Sequence, residues 1–455
     1  MKISDIFTSW AIDSQGLYSI AELKNWIHII KQKTKVSIKK SSINNSSIWN
    51  YSNDKGWICN KNNSFFQISG VSISTKNGVM EQPIILQYEI GYLGIICKII
   101  KGTLHFLMQA KIEPGNINHV QVSPTIQATL SNFTRKHGGK SPLYLDYFKN
   151  ADKYTVLYDQ IQSEQSSRFI GKRNRNIIIL VNGDIEESPN HRWMTLYQIK
   201  QLMKIPNLVN MDTRTVLSGI IIAQSEKNES LKEFFTDKSL YNSMFNSKDL
   251  DFTDLFYYIN NYKMFNQSTR ELIPLYDLKN WSYNDNHEFV CNEPYSFKLI
   301  HCDIEIEGRE VRKWDQPLFE ATGKALFGLF TCVENDTRLF LLKAKPEIGA
   351  FDGIEIGPSV QREFVSDEPE DDVYKLFVEK RKKKDGIVFD NVLSEEGGRF
   401  YHEENDNVII EIDKAEIPEL PEGYFWVTYR TLNSLIQVNN TLNIQLRNLI
   451  SLLEI

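Results

Sequence analysis

Residues 82–127 lie over residues 316–361 without a gap, at a constant offset of 234. In that window Gln82-Pro83 falls on Gln316-Pro317, Gly94 on Gly328, and Phe106-Leu107 on Phe340-Leu341. Ala110-Lys111 falls on Ala344-Lys345, Glu113 on Glu347, Gly115 on Gly349, and Pro124 on Pro358. Solenoid repeats recur every 20 to 50 residues, so a period this long makes the repeating unit a whole domain. A chain built this way folds as two similar modules in tandem. Positions where one module has lost groups that the other kept then become the best pointers to function.

The repeat extends past the window. Ser163-Glu164, Arg168-Phe169 and Asn176 match Ser394-Glu395, Arg399-Phe400 and Asn407 at an offset of 231. Trp193 and Thr195 match Trp426 and Thr428, and Arg214 matches Arg447, at 233. Small changes of offset are what insertions in surface loops produce. The string from Leu23 to Trp26 reappears as Leu278 to Trp281, which suggests that the element before the core recurs as well. This reading places one module over 1–222, connecting helices over 223–274 and the second module over 275–455.

With 455 residues, 41% apolar and 24% charged, the chain has the make-up of a globular protein of two domains. A formal charge of −6 argues against nucleic-acid binding, which calls for a basic domain. No apolar run approaches the 18 or so residues of a membrane helix, and the start of the chain carries no signal-peptide pattern. Five cysteines without a CxxC read as reduced thiols in a cytoplasmic protein.

Ser19 with Glu22 three positions later forms a capping box that opens a helix through Leu23, Trp26, Ile27 and Ile30. Strand-like runs follow over 65–73, 84–89, 94–100, 104–110 and 177–181, then helices over 195–205 and 212–223. Strands followed by helices, without regular βαβ alternation, predict an α+β fold, a sandwich in each copy.

Three polar groupings carry candidate chemistry. On a strand, Gln109, Lys111 and Glu113 share one face; an ammonium and a carboxylate so placed suit acid–base work, although a surface ion pair has the same pattern. Next, Gln121, Ser123, Thr125, Gln127 and Thr129 alternate with apolar residues and are continued by Ser131 and Asn132, with Asn116 nearby. Such a row of uncharged donors and acceptors suits a sugar. The second copy keeps only half of that pattern. The third grouping is Lys172, Arg173 and Arg175 beside Arg168; in the second copy the first three become Glu403, Glu404 and Asp406. A complete sign reversal fits the loss of a diphosphate site, since arginine forks onto phosphate oxygens.

The strings QPIILQYEIGYLG, QAKIEPGNINHVQVSPTIQATLSNFTRKHGG, DQIQSEQSSRFIGKRNRN and HRWMTLYQIKQLM closely resemble the NDP-hexose 2,3-dehydratases, across nearly the whole chain. The resemblance implies a Nudix-like α/β/α sandwich for each copy and a homodimer. It also implies two nucleotide-sugar pockets per subunit, one of them catalytic, with dTDP-4-keto-6-deoxyglucose as substrate. The helical R-E-x-x-E-E core through which Nudix hydrolases hold metal is missing from both copies, so no metal is expected.

The implied reaction needs no cofactor, because the C4 ketone acidifies the C3 hydrogen. A base removes that hydrogen, the C2 hydroxyl departs with help from an acid, and C2 is then protonated. Glu113 is the first candidate for the base and Lys111 for the cation on the ketone; His137 and Glu164 are rival acid–base groups. Gln121, Ser123, Thr125 and Gln127 are assigned to sugar hydroxyls, and Arg168, Lys172, Arg173 and Arg175 to the diphosphate. Trp57, Phe65 or Phe66 would stack on the nucleotide base. The short-lived 3,4-diketone calls for a 3-ketoreductase or 3-aminotransferase downstream. Two other classes stand beside this reading: a metal-dependent nucleotide-sugar diphosphate hydrolase, which EDTA would stop, and a non-catalytic nucleotide-sugar sensor.

Overall fold

A computed structural model describes residues 1–61, 65–75, 78–129, 141–222, 229–247, 252–266, 268–307 and 311–455. The expected capping box is present: the Ser19 hydroxyl accepts from the Glu22 amide, and Glu22 accepts from the Ser19 amide, at the start of helix Ile20–Lys33. Leu23, Trp26 and Ile27 form its buried stripe, as a 3.6-residue period requires.

The chain is mixed α+β, with four sheets arranged in two repeated halves. In the first half a seven-stranded sheet runs Thr155–Ser163, Arg173–Leu180, Gly91–Ile100, Thr103–Ile112 and His191–Met194. Short strands Val120–Ser123 and Ile126–Ala128 attach to Thr103–Ile112 and Gly91–Ile100. The second half repeats this order with Ile387–Ser394, Glu404–Glu411, Leu326–Glu334, Thr337–Pro346 and Tyr424–Thr428. Parallel pairing at the centre of each sheet, Asn174–Leu180 on Gly91–Cys97 and Asp406–Glu411 on Leu326–Thr331, keeps both faces covered.

The six-stranded sheets exchange strands between halves. Val36–Ser41, from the first half, runs antiparallel along Phe297–Ile306 of the second, with Val36 opposite Ile306. Thr269–Ile273 runs in turn along Gln67–Thr75 of the first, with Ile273 opposite Gly70. Each exchanged strand covers backbone groups on a sheet that belongs mainly to the other half.

The halves also share their cores. One buried cluster joins Phe7, Ile95, Ile178 and Val216 to Leu329, Phe340, Ile409 and Leu446. A second joins Trp49, Phe66 and Phe169 to Trp281, Phe297 and Phe400. Phe169 and Phe400, which are repeat partners, meet edge to face at 5.8 Å at the junction between the halves. The repeat-related arginines cross it: Arg214 donates to Ser394 O at 2.8 Å, and Arg447 donates to Ser163 O.

Two sequence expectations change. The match between Leu23–Trp26 and Leu278–Trp281 is not structural, because the first lies in a helix and Trp281 opens strand Trp281–Tyr283. The counterpart of helix Ile20–Lys33 is helix Phe252–Phe265, inside the stretch read as a connector. Its Tyr258 bonds the Gly423–Tyr424 backbone, much as Trp26 bonds Pro189 O. The polar alternation over 121–129 is not one continuous strand either. It breaks at Pro124, which has no amide hydrogen to give a ladder, and Gln121, Ser123 and Thr125 are all buried.

A fragment of residues 1–222 lacks Thr269–Ile273 and half of each shared core. Expressed alone, it should show no cooperative thermal unfolding. A sharp transition in a soluble monomeric fragment would contradict this shared-core architecture.

Candidate active site

Strand Thr103–Ile112 pairs with Val120–Ser123 so that Lys111 stands opposite Gln121. Glu113 follows immediately, buried, and its Oε1 is 3.1 Å from Lys111 Nζ. The same oxygen accepts from Gln127 Nε2 at 3.0 Å, and Asn210 Nδ2 donates to Gln127 Oε1 at 3.3 Å. Among the described residues, Glu113 Oε2 has no hydrogen-bond partner. One carboxylate oxygen is therefore anchored and the other is open to a proton.

The second half repeats the relay, with Asn443 on Gln361 at 2.7 Å and Gln361 on Glu347 at 2.6 Å. The lysine differs. Lys345 turns to Glu368 and to Gln361 O.

Each of these strand ends is completed by a loop from the opposite half. Gly115 N donates to Gly397 O at 2.7 Å, and Gly115 O accepts from His402 N at 2.8 Å. The reciprocal pair is Gly349 N on Ser166 O at 2.7 Å and Gly171 N on Gly349 O at 2.8 Å. A Cβ at Gly115 would stand 1.6 Å from Phe400 O, and one at Gly349 1.5 Å from Phe169 O, so only glycine allows these approaches.

The loop reaching the first-half site carries Glu396 and Arg399. Burial raises the Glu396 carboxyl to about 7; Glu113 and Glu164 push it the same way, while Arg399 and Lys111 oppose. Lys172 is held below the usual lysine range by burial, with Glu89 and Glu164 opposing. Its ammonium donates to Glu89 O at 2.7 Å and to Asn174 Oδ1 at 3.0 Å. Burial raises Glu164, and raises Asp212 strongly, with Glu164, Glu396 and Glu113 adding to the shift on Asp212.

The other predicted residues scatter. Thr125 Oγ1 donates to Leu107 O at 2.5 Å and accepts from Ile96 N at 2.9 Å, and Ser123 is wholly buried against Gln109 and Pro124. These two hydroxyls brace the sheet where Pro124 interrupts it, which corrects their assignment to a sugar. Gln121 donates to Ser394 Oγ at 2.8 Å across the junction between halves, and the buried Asn116 donates to His119 O at 3.2 Å. Ser131, Asn132 and His137 lie outside the described residues.

The four cations do not converge. Arg168 forks onto Glu363 of the second half, 2.9 Å at its shorter arm, and packs over Phe297. Arg173 lies over Phe351 at 4.4 Å, and Arg175 forks onto Asp159 at 2.7 and 2.6 Å. Only Lys172 sits among the charges of the Glu396 loop. Phe66 is buried beneath the Arg399 guanidinium at 4.2 Å, while Trp57 is half-buried against Val71 and its neighbours.

Sequence reasoning missed Glu396, Arg399, Asn210 and Asp212. It compared only what the second copy had lost. At offset 231 Glu396 stands where the first copy has Gln165, a gain that the same alignment contains. Among the described residues, no three His, Cys, Asp or Glu side chains are grouped to hold a metal ion, and no helix is long and apolar enough to cross a membrane.

A family model described as NDP-hexose 2,3-dehydratase matches the chain twice, over residues 20–220 and 253–453. The dTDP-4-dehydro-6-deoxy-alpha-D-glucopyranose 2,3-dehydratase of Streptomyces violaceoruber is 34% identical over 424 residues, covering 91% of this chain and 92% of its own. Its namesake from Saccharopolyspora spinosa is 33% identical over 453 residues, 96% of this chain and 92% of its own. A third, from Amycolatopsis orientalis, is 30% identical over 441 residues, 94% of this chain and 89% of its own.

The second-half site is rich in carboxyls whose folded pKa is raised: Glu355 to about 8, by burial and then by Glu347, and Glu403 to about 8, by burial with Arg168 opposing. Ionising such a group inside the fold costs stability. That cost is absent below the unfolded value of about 4.5, grows between the unfolded and folded values as the unfolded chain ionises first, and levels off above the folded value. Glu355→Gln, which restores the residue type of Gln121, should match wild type near pH 4.5 and exceed it by about 4 kcal/mol at pH 8. A stability difference that does not change between those pH values in denaturant titrations would contradict the raised Glu355.

Proposed function

The chain belongs to the NDP-hexose 2,3-dehydratase family, and on that premise we propose that it removes water from dTDP-4-keto-6-deoxyglucose, giving the 3,4-diketo-2,6-dideoxy sugar nucleotide. The observation that carries this reading is the Lys111–Glu113 pair: an ammonium beside a carboxylate that keeps one oxygen unbonded. Lys111 is suited to hold the C4 oxygen, where negative charge develops once the C3 hydrogen leaves. Glu113 takes that hydrogen on Oε2, while Gln127 and Asn210 fix the carboxylate by its other oxygen. The C2 hydroxyl then departs as water. The C3 enol loses its hydroxyl proton and C2 gains one, so the sugar has lost one molecule of water overall.

Lys172 is the member of the basic cluster best placed to favour an anionic ligand here. On the family resemblance, each half is assigned a Nudix-like arrangement and the protein a homodimeric, cytoplasmic setting. A 3-ketoreductase or 3-aminotransferase would consume the diketone. The metal-dependent hydrolase reading predicts nucleotide monophosphate instead, and sensitivity to EDTA.

Incubation with dTDP-4-keto-6-deoxyglucose in deuterated water, with a coupled reductase, should place deuterium at C2 of the trapped product. Release of free nucleotide monophosphate would defeat the dehydratase reading. Glu113→Gln should lower kcat by about 100-fold or more. A variant turning over at the wild-type rate would remove Glu113 from the role of base.

A further inference from the structure

We propose that Glu396, from the loop of the second half, is the general acid that protonates the departing C2 hydroxyl in the first-half site. The inference rests on the dehydratase reading and adds to it the second proton-handling group that the reaction requires.

Elimination needs two groups in opposite states at the start. One must be ionised to accept the C3 hydrogen; the other must hold a proton for hydroxide, a poor leaving group. Glu113 is matched to the first task by its ammonium neighbour and by the amide donated from Gln127. Glu396 differs in both respects. None of its contacts is an ion pair within 4 Å among the described residues, and its one side-chain hydrogen bond there is from Gly398 N, at 2.9 Å, on Oε1. Part of its surface still reaches solvent, whereas Glu113 is only 4% exposed.

Backbone geometry brings the two together. Gly115 and Gly397 are hydrogen-bonded at 2.7 Å, and each carries one of the carboxylates one or two residues away. A Cβ at Gly397 would stand 2.2 Å from Asn116 Oδ1, so the loops are in direct contact. The groups facing Glu396 are Glu113 and Lys111 from the strand end, Glu164 and Lys172 from the first-half loop, Asp212 from helix Met211–Leu217, and Arg399 from its own loop. Burial with Glu113 and Glu164 nearby places its carboxyl at about 7, so the protonated form is well populated at neutral pH. The equivalent residue of the other site is Gln165, which cannot supply a proton.

The proton count closes. Glu113 takes the C3 hydrogen, and Glu396 gives its proton to the C2 oxygen, which leaves as water. The ionised Glu396 accepts the proton of the resulting C3 enol hydroxyl, and Glu113, exchanging with solvent, protonates C2. Both carboxyls return to their starting states.

The test compares full-length wild type, Glu396→Gln and Glu396→Asp with dTDP-4-keto-6-deoxyglucose, measuring kcat and KM from pH 5.5 to 9. In wild type, kcat should fall on the alkaline side as the acid loses its proton. Glu396→Gln should lose about 100-fold or more in kcat with KM little changed, and the alkaline limb with it. Glu396→Asp should recover part of kcat and keep that limb, and thermal unfolding shows whether both variants are folded. Wild-type kcat and an unchanged alkaline limb in Glu396→Gln would overturn the assignment alone. A misfolded Glu396→Gln leaves Glu396→Asp to decide, and its matching wild type in kcat and limb position would likewise overturn it. Absence of diketone product from the wild type would overturn the dehydratase reading and this assignment together.

Discussion

Two glycine amides, Gly115 and Gly349, each donate to a carbonyl of the opposite half at 2.7 Å. Everything around the candidate site depends on that reciprocal contact. It forces glycine at both positions, because a single added carbon would stand within 1.6 Å of a backbone oxygen. It also places the Ser394–Arg399 loop over the Lys111–Glu113 strand end and, by pseudo-symmetry, the Ser163–Arg168 loop over the Lys345–Glu347 strand end. Strand exchange, the crossed arginines and the Phe169–Phe400 contact hold the same junction from further out. A duplication in which each copy completes the other's site cannot discard either copy, however far one drifts.

Drift shows in the charges rather than in the fold. Around the first-half site stand Lys111, Lys172 and Arg399; the second-half site substitutes Glu355 for Gln121, Glu363 for Thr129 and Glu403 for Lys172. Burial leaves these carboxylates poorly solvated and neighbouring carboxylates add to the effect, so Glu347, Glu355 and Glu403 are all pushed upward. Lys345 turns to Glu368, and Arg168 is taken up by Glu363 and Glu403. The first site thus gathers both cations and carboxylates, whereas the second holds a surplus of acid.

Much of this was legible in the sequence, and the exceptions have physical causes. The duplication, the Ser19 cap and the Lys111–Glu113 pair are local patterns that need no knowledge of distant contacts. The sign reversal at Lys172 was visible too, but not its geometry. On strand Arg173–Leu180 neighbouring side chains alternate faces, so Arg173 and Arg175 leave Lys172 and find Phe351 and Asp159. The alternation over 121–129 misled because a polar side chain at period two can brace backbone as readily as face water, which is what Ser123 and Thr125 do. Glu396 stayed hidden because the sequence was divided into two modules and each was expected to own its site.

The most direct measurement is a crystal structure of the protein with dTDP and an unreactive 4-keto sugar analogue bound. We expect the hexose ring between Lys111–Glu113 and the loop bearing Glu396, with the C4 oxygen at the Lys111 ammonium. A hexose seated only against Lys345 and Glu347, with the Glu396 loop turned away from ligand, would contradict the assignment of the reaction to the junction of the first-half strand and the second-half loop.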